Sequence, residues 1–408
     1  MSSGAGSAGN SGSGWGRRRF IGTLGAVAAT AATTSATACA AGAAPDRERR
    51  AASASLRHRP RRARPLFLGT YTSQEGGGKG IGLATYDDTT GRITGTGTLT
   101  GVPDPSYLAL HPSGRTLYAV DEQEKGRVTA VALAADGEGP PRILNSRATG
   151  GAGPCHLSVH PDGRWLLSAN YLSGSVSVHP VERSGALGER TDHVTHSTPE
   201  PGPGQDGPHA HQIITAPDGR HILAVDLGND TVYTYRLDPK YGRLHQVSAA
   251  RVHPGAGPRH LTFHPGGRFA YLADELDNTV VVCAYDPATG RLAPGRPQPT
   301  GTGDGTSYPA QILVTREGRF AFLANRGHNS VTRYAIEDGG ARLRLLDTVA
   351  VGGDFPRQLA FSPSERLLFA ANQKSGSVSV FQVDGRSGAL HRTGEPFAAP
   401  IAVCVLPL

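Results

Sequence analysis

The 408-residue chain contains few cysteines, a single methionine and no apolar run rich enough in large side chains for a convincing transmembrane helix. Its four cysteines are irregularly spaced, with no CxxC pair: Cys39, Cys155, Cys283 and Cys404. This pattern argues against a disulfide framework and against a zinc site. Glycine and proline are plentiful, at 55 and 30 residues. An all-β chain needs such residues for its frequent turns.

The net charge of +7 is unevenly distributed along the chain. Residues 1–64 hold eleven arginines against Asp46 and Glu48, whereas the remaining residues hold 30 basic and 32 acidic side chains. The part that can fold is therefore close to neutral and provides no electrostatic basis for binding a polyanion. We expect no nucleic-acid partner.

The basic N-terminus has the features of an export signal. Three arginines from Arg17 precede a weakly apolar run rich in alanine and threonine that ends at Ala38. This arrangement predicts a twin-arginine signal peptide over residues 1–39, and hence an extracellular or cell-envelope protein. A disordered basic tail is the alternative. Cys39 leaves lipidation open as a second processing route, which would be the one contact with a membrane.

A short phrase recurs roughly every 50 residues, a period typical of β-propellers. Each copy has an apolar strand, a His-Pro or similar turn with Gly-Arg, and a second apolar strand that ends in Asp or Asn. The copies begin at Leu108, Leu157, Ile213, Leu261, Ile312 and Leu359. Short alternating strands with this period predict β-propeller blades.

A seventh copy is divided between the two ends of the chain. The residues from Leu66 match the second, third and fourth strands of a blade, and the segment from Ala399 supplies the missing first strand. Pairing the two ends removes free sheet edges. We therefore predict an all-β, seven-bladed β-propeller over residues 65–408, closed by N- and C-terminal strands in one blade. Residues 40–64 lack hydrophobic periodicity and are predicted to be a disordered linker.

Functional residues are expected where the copies of the repeat differ. The start of the first strand and the end of the second lie on one face because these strands are antiparallel. The nearly constant His-Pro turns lie on the opposite face, so their histidines are interpreted as turn residues. The positions predicted at the variable mouth are Ser106, Cys155, His211, Arg259, Ala310 and Arg357, then Tyr107, His156, Gln212, His260, Gln311 and Gln358, and finally Tyr71, Glu122, Tyr171, Leu227, Glu275, Arg326 and Gln373.

A long Pro- and Gly-rich loop, residues 196–212, ends at this mouth with His209 and His211. Such loops are often lids or binding loops. A His-x-His pair on a strand could chelate a metal. However, arginines share the predicted site and no cluster of further ligands stands out, so we expect neither metal nor cofactor. Cys155 is interpreted as a buried thiol rather than a nucleophile.

Four motifs together resemble the lactonase family of seven-bladed propellers. This family includes the propeller-type 6-phosphogluconolactonases and is similar to the fungal carboxymuconate cyclase. The resemblance covers Pro65 to Leu408, and the family has asparagine where this chain has Asp274. The motifs are HAH from His209, GPRH from Gly257, DEL from Asp274 and NRGH from Asn325. The resemblance implies an active site made of His211, Arg259, Glu275 and Arg326.

The chemistry of a lactone suits these residue types. Opening the cyclic ester requires an activated water, stabilisation of an oxyanion and a proton for the leaving alkoxide. His211 suits the role of general base. The two arginines could hold an anionic group or the oxyanion, and Glu275 could orient them or share the role of base. The further residues expected to contact substrate are His209, His156, His260, Arg357, Gln311 and Tyr71.

We therefore expect a monomeric lactone hydrolase of the 6-phosphogluconolactonase-like family that acts on a small-molecule lactone. Three alternatives stay open: a carboxymuconate-type cycloisomerase, a non-catalytic binding propeller, and a purely structural ion-pair network in place of the catalytic quartet. The export signal predicts a substrate that is unphosphorylated or otherwise extracellular, because the phosphorylated lactone of the pentose phosphate route is cytosolic.

Overall fold

A computed structural model describes residues 63–134, 139–197, 202, 205–303 and 305–408. The predicted signal peptide, Cys39 and residues 40–62 of the predicted linker lie outside this range. Two short 3₁₀ turns are present in the described chain, Leu227–Asn229 and Asp338–Gly340. None of the described residues belongs to a helix with the length and apolarity needed to cross a membrane.

The described residues otherwise form β-strands that pair into seven antiparallel sheets. The first three strands are β1 (Arg64–Thr70), β2 (Ile81–Tyr86) and β3 (Ile93–Leu99). The second blade contains β4 (Leu108–Leu110), β5 (Thr116–Asp121), β6 (Arg127–Ala132) and β7 (Arg142–Ala148). The third contains β8 (Pro154–Val159), β9 (Trp165–Asn170), β10 (Ser175–Pro180) and β11 (Asp192–Thr195). The fourth contains β12 (Ala210–Thr215), β13 (His221–Asp226), β14 (Thr231–Leu237) and β15 (Leu244–Arg251).

The remaining strands complete the ring. The fifth blade contains β16 (Pro258–Phe263), β17 (Phe269–Asp274), β18 (Thr279–Asp286) and β19 (Arg291–Pro299). The sixth contains β20 (Tyr308–Val314), β21 (Phe320–Arg326), β22 (Ser330–Glu337) and β23 (Arg342–Ala350). The seventh contains β24 (Pro356–Phe361), β25 (Leu367–Asn372), β26 (Ser377–Val383), β27 (Leu390–Arg392) and β28 (Phe397–Ala398). The last strand is β29 (Ala402–Pro407).

The first blade joins the two ends of the chain. Its strand order is β29-β1-β2-β3, and Gly69 of β1 pairs with Cys404 of β29. A side chain at Gly69 would collide with the backbone of Pro105 and with Cys404, so this close pairing requires glycine. The predicted seven-bladed propeller with shared terminal strands is confirmed. β1 begins at Arg64, one residue before the predicted domain boundary.

The apolar core lies between neighbouring blades. The second strand of a blade, such as β9 or β25, is buried along its whole length. These strands are continuously apolar because both of their faces are covered. Between the third and fourth blades, for example, Trp165 and Leu167 pack in one cluster with Tyr235 and Leu244. The first strands contact one another around the centre and thereby bring their starting residues together.

The histidines of the His-Pro turns connect one turn to the next. In each case Nε2 of the imidazole donates a hydrogen bond to a glycine carbonyl of the neighbouring blade. The bonds run from His111 to Gly163 (2.9 Å), from His160 to Gly219 (3.2 Å) and from His264 to Gly318 (3.2 Å). These contacts are structural, in agreement with their interpretation as turn residues.

Candidate active site

Several candidate residues are the extra residues of β-bulges. In β12 the pairing register shifts between Ala210 and Gln212, which leaves His211 outside the regular ladder. A bulge bends its strand and redirects side chains, and bulges are common beside active sites. Consecutive residues of the inner strand can therefore both face the centre of the propeller. The same shift occurs at Cys155 in β8, Arg259 in β16 and Arg357 in β24.

Glu275 holds two arginines through a single carboxylate oxygen. Its Oε2 lies 3.0 Å from Nε of Arg259 and 2.5 Å from Nη2 of Arg326. Arg326 also donates to the carbonyl oxygens of Tyr308 (3.2 Å) and Pro309 (3.3 Å). Nη1 of Arg259, in contrast, is buried and has no hydrogen-bond partner among the described residues. Arg326 is thus fixed to its blade, whereas Arg259 keeps a donor available.

Burial and charge oppose each other at this ion-pair cluster. Burial would raise the pKa of Glu275, but the neighbouring Arg326 and Arg259 outweigh it and hold that pKa below the usual value. Burial, together with repulsion from Arg326 and Arg357, lowers the pKa of Arg259 to about 9. At neutral pH the glutamate is a carboxylate and the arginine is charged. Glu275 is therefore better suited to positioning the arginines than to accepting a proton.

His211 lies beside this cluster as a neutral imidazole. Burial, followed by the positive charge of Arg259 and contact with His260, holds the pKa of His211 well below its usual value. Its Nδ1 is buried and has no hydrogen-bond partner in the described chain. A neutral imidazole has the protonation state of a general base. Its low basicity would increase if a bound anion reduced the surrounding positive charge.

A row of rings continues from His211 into the centre of the propeller. The ring centres of His211 and His260 are 5.2 Å apart, those of His260 and His156 5.4 Å, and those of His156 and Tyr107 4.3 Å. Burial and Arg259 lower the pKa of His156 to about 3 and that of His260 well below the usual value. All three imidazoles are therefore neutral at pH 7.

The residues that follow the bulges lie deeper than the predicted mouth. Three of them, His156, Gln212 and Gln311, line a channel of about 640 Å³ that also contacts Pro161 and Pro217 of the turns on the opposite face. Several of them accept backbone N–H groups of the next blade. These bonds join His156 Nδ1 to Ile213 (3.3 Å), Gln212 to Leu261 (2.7 Å), Gln311 to Leu359 (3.3 Å) and Gln358 to Val405 (2.8 Å).

The structure places these residues at different positions relative to His211. His260 contacts His211, whereas His156 and Gln311 have interblade hydrogen bonds and line the deeper channel. The sequence pattern could not separate these positions because the register shift depends on pairing with the second strand. Substrate contacts by His156, His260 and Gln311 stay predictions.

A second polar group surrounds Glu122, to which the sequence pattern gave no role. The hydroxyl of Tyr71 lies 3.0 Å from each Glu122 carboxylate oxygen, and the hydroxyl of Ser106 also donates to this carboxylate. Burial raises the pKa of Glu122, although the nearby charge of Arg357 opposes this. The Arg357 guanidinium carbon lies 5.8 Å from the centre of the Tyr71 ring. Tyr71 and Arg357, both predicted to contact substrate, thus belong to one group.

His209 is held at the end of the long loop. Its Nδ1 donates to the carbonyl oxygen of Tyr171 (2.9 Å), and its Nε2 lies 2.8 Å from a carboxylate oxygen of Asp206. The imidazole also stacks on the Tyr171 ring at 4.4 Å. With both ring nitrogens engaged, His209 is less suited than His211 to act as a base. Its contact with substrate stays a prediction.

Cys155 lies next to His211, but it is a buried thiol and not the thiolate that a nucleophile requires. Its thiol approaches the carbonyl oxygen of His211 at 3.4 Å and is buried. Burial raises the pKa of this thiol, so Cys155 is not a thiolate at neutral pH. Cys283 and Cys404 are also buried and unpaired.

Comparisons with known proteins agree with this architecture. Residues 65–407 match the family model described as a lactonase with a 7-bladed beta-propeller. The 6-phosphogluconolactonase of Bacillus subtilis (strain 168) is 33% identical over 342 residues, which cover 83% of this chain and 97% of that protein. The solved structure of the periplasmic gluconolactonase PpgL from Pseudomonas aeruginosa is 30% identical, with a TM-score of 0.79, and the match covers 85% of this chain and 99% of PpgL. The crystal structure of a protein from Lactobacillus plantarum is 32% identical, also with a TM-score of 0.79, and the match covers 85% of this chain and 100% of that chain.

Proposed function

The chain belongs to the lactonase family of seven-bladed β-propellers, and from this membership we propose that it hydrolyses a small lactone at the mouth formed by His211, Arg259, Glu275 and Arg326. The observation that carries the proposal is the pairing of two buried arginines through one oxygen of Glu275, beside a neutral His211. This arrangement provides a base and a preorganised positive charge, the two features that ester hydrolysis requires.

Arg259 is proposed to stabilise the oxyanion. Its Nη1 is buried and free of protein hydrogen bonds among the described residues, while its Nε contacts Glu275. A donor already fixed in a water-poor site costs no reorganisation when the carbonyl oxygen becomes negative. Arg326, tied to two backbone carbonyls, serves to position Glu275.

His211 is proposed to activate the water. Its imidazole accepts a proton from water as the water oxygen bonds to the lactone carbonyl carbon. When the tetrahedral intermediate collapses, the bond between this carbon and the ring oxygen breaks, and the imidazolium returns the proton to the departing alkoxide. One lactone and one water thus give one hydroxy acid, with His211 restored.

The charges at the mouth favour an anionic transition state. Three arginines (Arg259, Arg326 and Arg357) face two glutamates (Glu122 and Glu275), and the pKa of Glu122 is raised by burial. The cluster therefore carries excess positive charge before substrate binds. Negative charge developing at the carbonyl oxygen would raise the basicity of His211 as it forms.

The protein is further proposed to be exported and to use an unphosphorylated lactone. The twin arginines before the N-terminal apolar run support export. The similarity to a protein described as a periplasmic gluconolactonase supports both parts of the proposal. We expect the exported protein to encounter sugar lactones, rather than the phosphorylated lactone of the cytosol.

The experiment is a panel of sugar and aromatic lactones, with 6-phosphogluconolactone included, in water enriched in ¹⁸O. We expect hydroxy-acid products that carry one ¹⁸O atom, with an unphosphorylated sugar lactone as the best substrate. Ring opening without ¹⁸O uptake would instead identify a cycloisomerase. Hydrolysis of 6-phosphogluconolactone alone would contradict the proposed substrate class, and turnover of no lactone would favour a binding propeller.

A further inference from the structure

Asp274 and Glu275 are adjacent in the chain but have opposite surroundings. Glu275 pairs with two arginines, whereas Asp274 forms no ion pair with a lysine or arginine among the described residues. Asp274 is fully buried. Its Oδ2 accepts a hydrogen bond from the Thr279 hydroxyl (3.2 Å), and its Oδ1 has no partner among the described residues. A carboxyl in this position lacks a counter-charge.

At the end of the second strand, the second, fourth and fifth blades have Asp121, Asp226 and Asp274, whereas three other blades have asparagine. In each of them the amide nitrogen donates to two hydroxyl groups of the third strand. The fifth blade has the first hydroxyl, from Thr279, but Val281 replaces the second. The structural role of asparagine therefore does not explain the aspartate. The three asparagines and their partners are Asn170 with Ser175 and Ser177, Asn325 with Ser330 and Thr332, and Asn372 with Ser377 and Ser379.

Two further potential ligands converge on Asp274. His253 lies in the segment between β15 and β16, and Asp277 lies in the turn after β17. Nε2 of His253 contacts a carboxylate oxygen of Asp277, whose other oxygen accepts a hydrogen bond from Thr279 (2.9 Å). One ligand atom from each of His253, Asp274 and Asp277 lies within 4.8 Å of the others. Ligands about 2.0–2.2 Å from one ion are roughly 3–4 Å apart, so small side-chain rotations would complete the site.

We propose that His253, Asp274 and Asp277 bind a divalent transition-metal ion, Zn²⁺ or Mn²⁺. The ion would provide the charge that the buried Asp274 lacks. An imidazole among the ligands favours a transition metal over Ca²⁺ or Mg²⁺. The side chains of His253 and Asp277 are 34% and 27% exposed, so an ion can reach the site from solvent. The Thr279 hydroxyl lies outside the ligand set, within hydrogen-bond distance of both carboxylates.

The neighbouring Asp230 does not belong to the site. Its carboxylate accepts hydrogen bonds from the backbone N–H groups of Gly255 (2.7 Å) and Gly257 (2.9 Å). It also accepts one from the side-chain amide of Gln205 (2.8 Å). These donors satisfy Asp230 and shape the segment that carries His253.

The proposed ion would stabilise the candidate active site without touching the substrate. His253 belongs to the segment that leads into Arg259, and Asp274 and Asp277 flank the turn that carries Glu275. A metal shared by these two segments would restrain both partners of the Arg259–Glu275 ion pair. The inference does not depend on lactone hydrolysis, because a structural metal site would be present whatever the mouth binds.

The test uses the whole chain, treated with EDTA and then titrated separately with ZnCl₂ and MnCl₂ in a calorimeter. Wild type is expected to bind one ion of at least one metal at this site and to unfold at a higher temperature in its presence. Asp274→Asn introduces the asparagine that three other blades have at this position, so the variant should fold. Its affinity for the metal ion should fall at least about tenfold. His211→Ala tests the other histidine pair, His209 and His211, and should bind like wild type.

The same titration can overturn the proposal. Wild type that binds neither ion, with unchanged unfolding temperature, would contradict the proposal. Unchanged affinity in Asp274→Asn would show that any bound ion lies elsewhere. Loss of binding in His211→Ala with retention in Asp274→Asn would assign the metal to the His-x-His pair and also contradict the proposal. Correct folding of each variant is checked by its circular dichroism spectrum.

Discussion

Arg259 and Glu275, which lie at the start of the first strand and just after the second strand of the same blade, form a buried ion pair at 3.0 Å. The same carboxylate oxygen also contacts Arg326 of the next blade. The Glu275 carboxylate therefore joins two blades, and Nη1 of Arg259 has no hydrogen-bond partner in the described chain. A single carboxylate organises the positive charge of the candidate site.

Replacing Glu275 should destabilise the protein. In Glu275→Gln two buried arginines lose their counter-charge, and we expect the free energy of unfolding to decrease by about 3 kcal/mol. The control is Glu317→Gln, which removes the exposed ion pair with Arg319 and should cost less than about 1 kcal/mol. Urea denaturation measures both values. Equal small losses would show that Glu275 does not hold the arginines.

Replacing His211 should remove the general base. We expect His211→Ala to lower turnover of the preferred lactone about a hundredfold with folding intact. His264→Ala is the control, because His264 hydrogen-bonds at a turn on the opposite face. That variant should retain turnover while it loses about 1 kcal/mol of stability. Steady-state kinetics would refute the assignment if both variants turned over equally well.

The buried histidines should make the fold sensitive to acid. Burial lowers the pKa of His156 to about 3, and the pKa values of His211 and His260 are also lowered, whereas all three return to about 6.5 on unfolding. Below pH 6.5 the unfolded chain therefore binds more protons, and stability decreases as pH falls. Each histidine should contribute a slope of about 1.4 kcal/mol per pH unit.

Glutamine substitution isolates this effect. Equivalent positions of other blades carry Gln212, Gln311 and Gln358, so His156→Gln and His260→Gln should fold. Each variant should reduce the slope of the free energy of unfolding against pH by about 1.4 kcal/mol per pH unit. Urea denaturation between pH 5 and 8 measures the slope. If the slope of both variants equals that of wild type, these histidines are not held neutral by burial.

The repeat pattern was sufficient to predict the ring of blades and its closure. The second strands are apolar because both of their faces are buried. The strands at the two ends of the chain pair with each other because each would otherwise leave a free sheet edge. The bulges at His211 and Arg259 could not be predicted, because they depend on which residues pair across the blade. The proximity of His253 to Asp274 was missed for a similar reason, since folded turns bring them together across 20 intervening residues.

The interblade glutamines should contribute to stability. The Gln358 side chain accepts the N–H of Val405, in the strand that closes the ring, at 2.8 Å. Gln358→Leu leaves this buried N–H without a partner and should cost about 1–3 kcal/mol. Gln382→Leu, at an exposed position, is the control and should be nearly neutral. Thermal unfolding would disprove this role if the two variants were equally stable.

The central claim is that lactone hydrolysis occurs at the mouth that contains Arg259. The most direct measurement is kcat/KM for the preferred lactone in wild type, Arg259→Ala and Arg268→Ala, the last being an exposed arginine in the turn of the same blade. We predict a loss of about a hundredfold in Arg259→Ala, since it removes the oxyanion donor, and no change in Arg268→Ala. Wild-type kcat/KM in a folded Arg259→Ala protein would contradict the account.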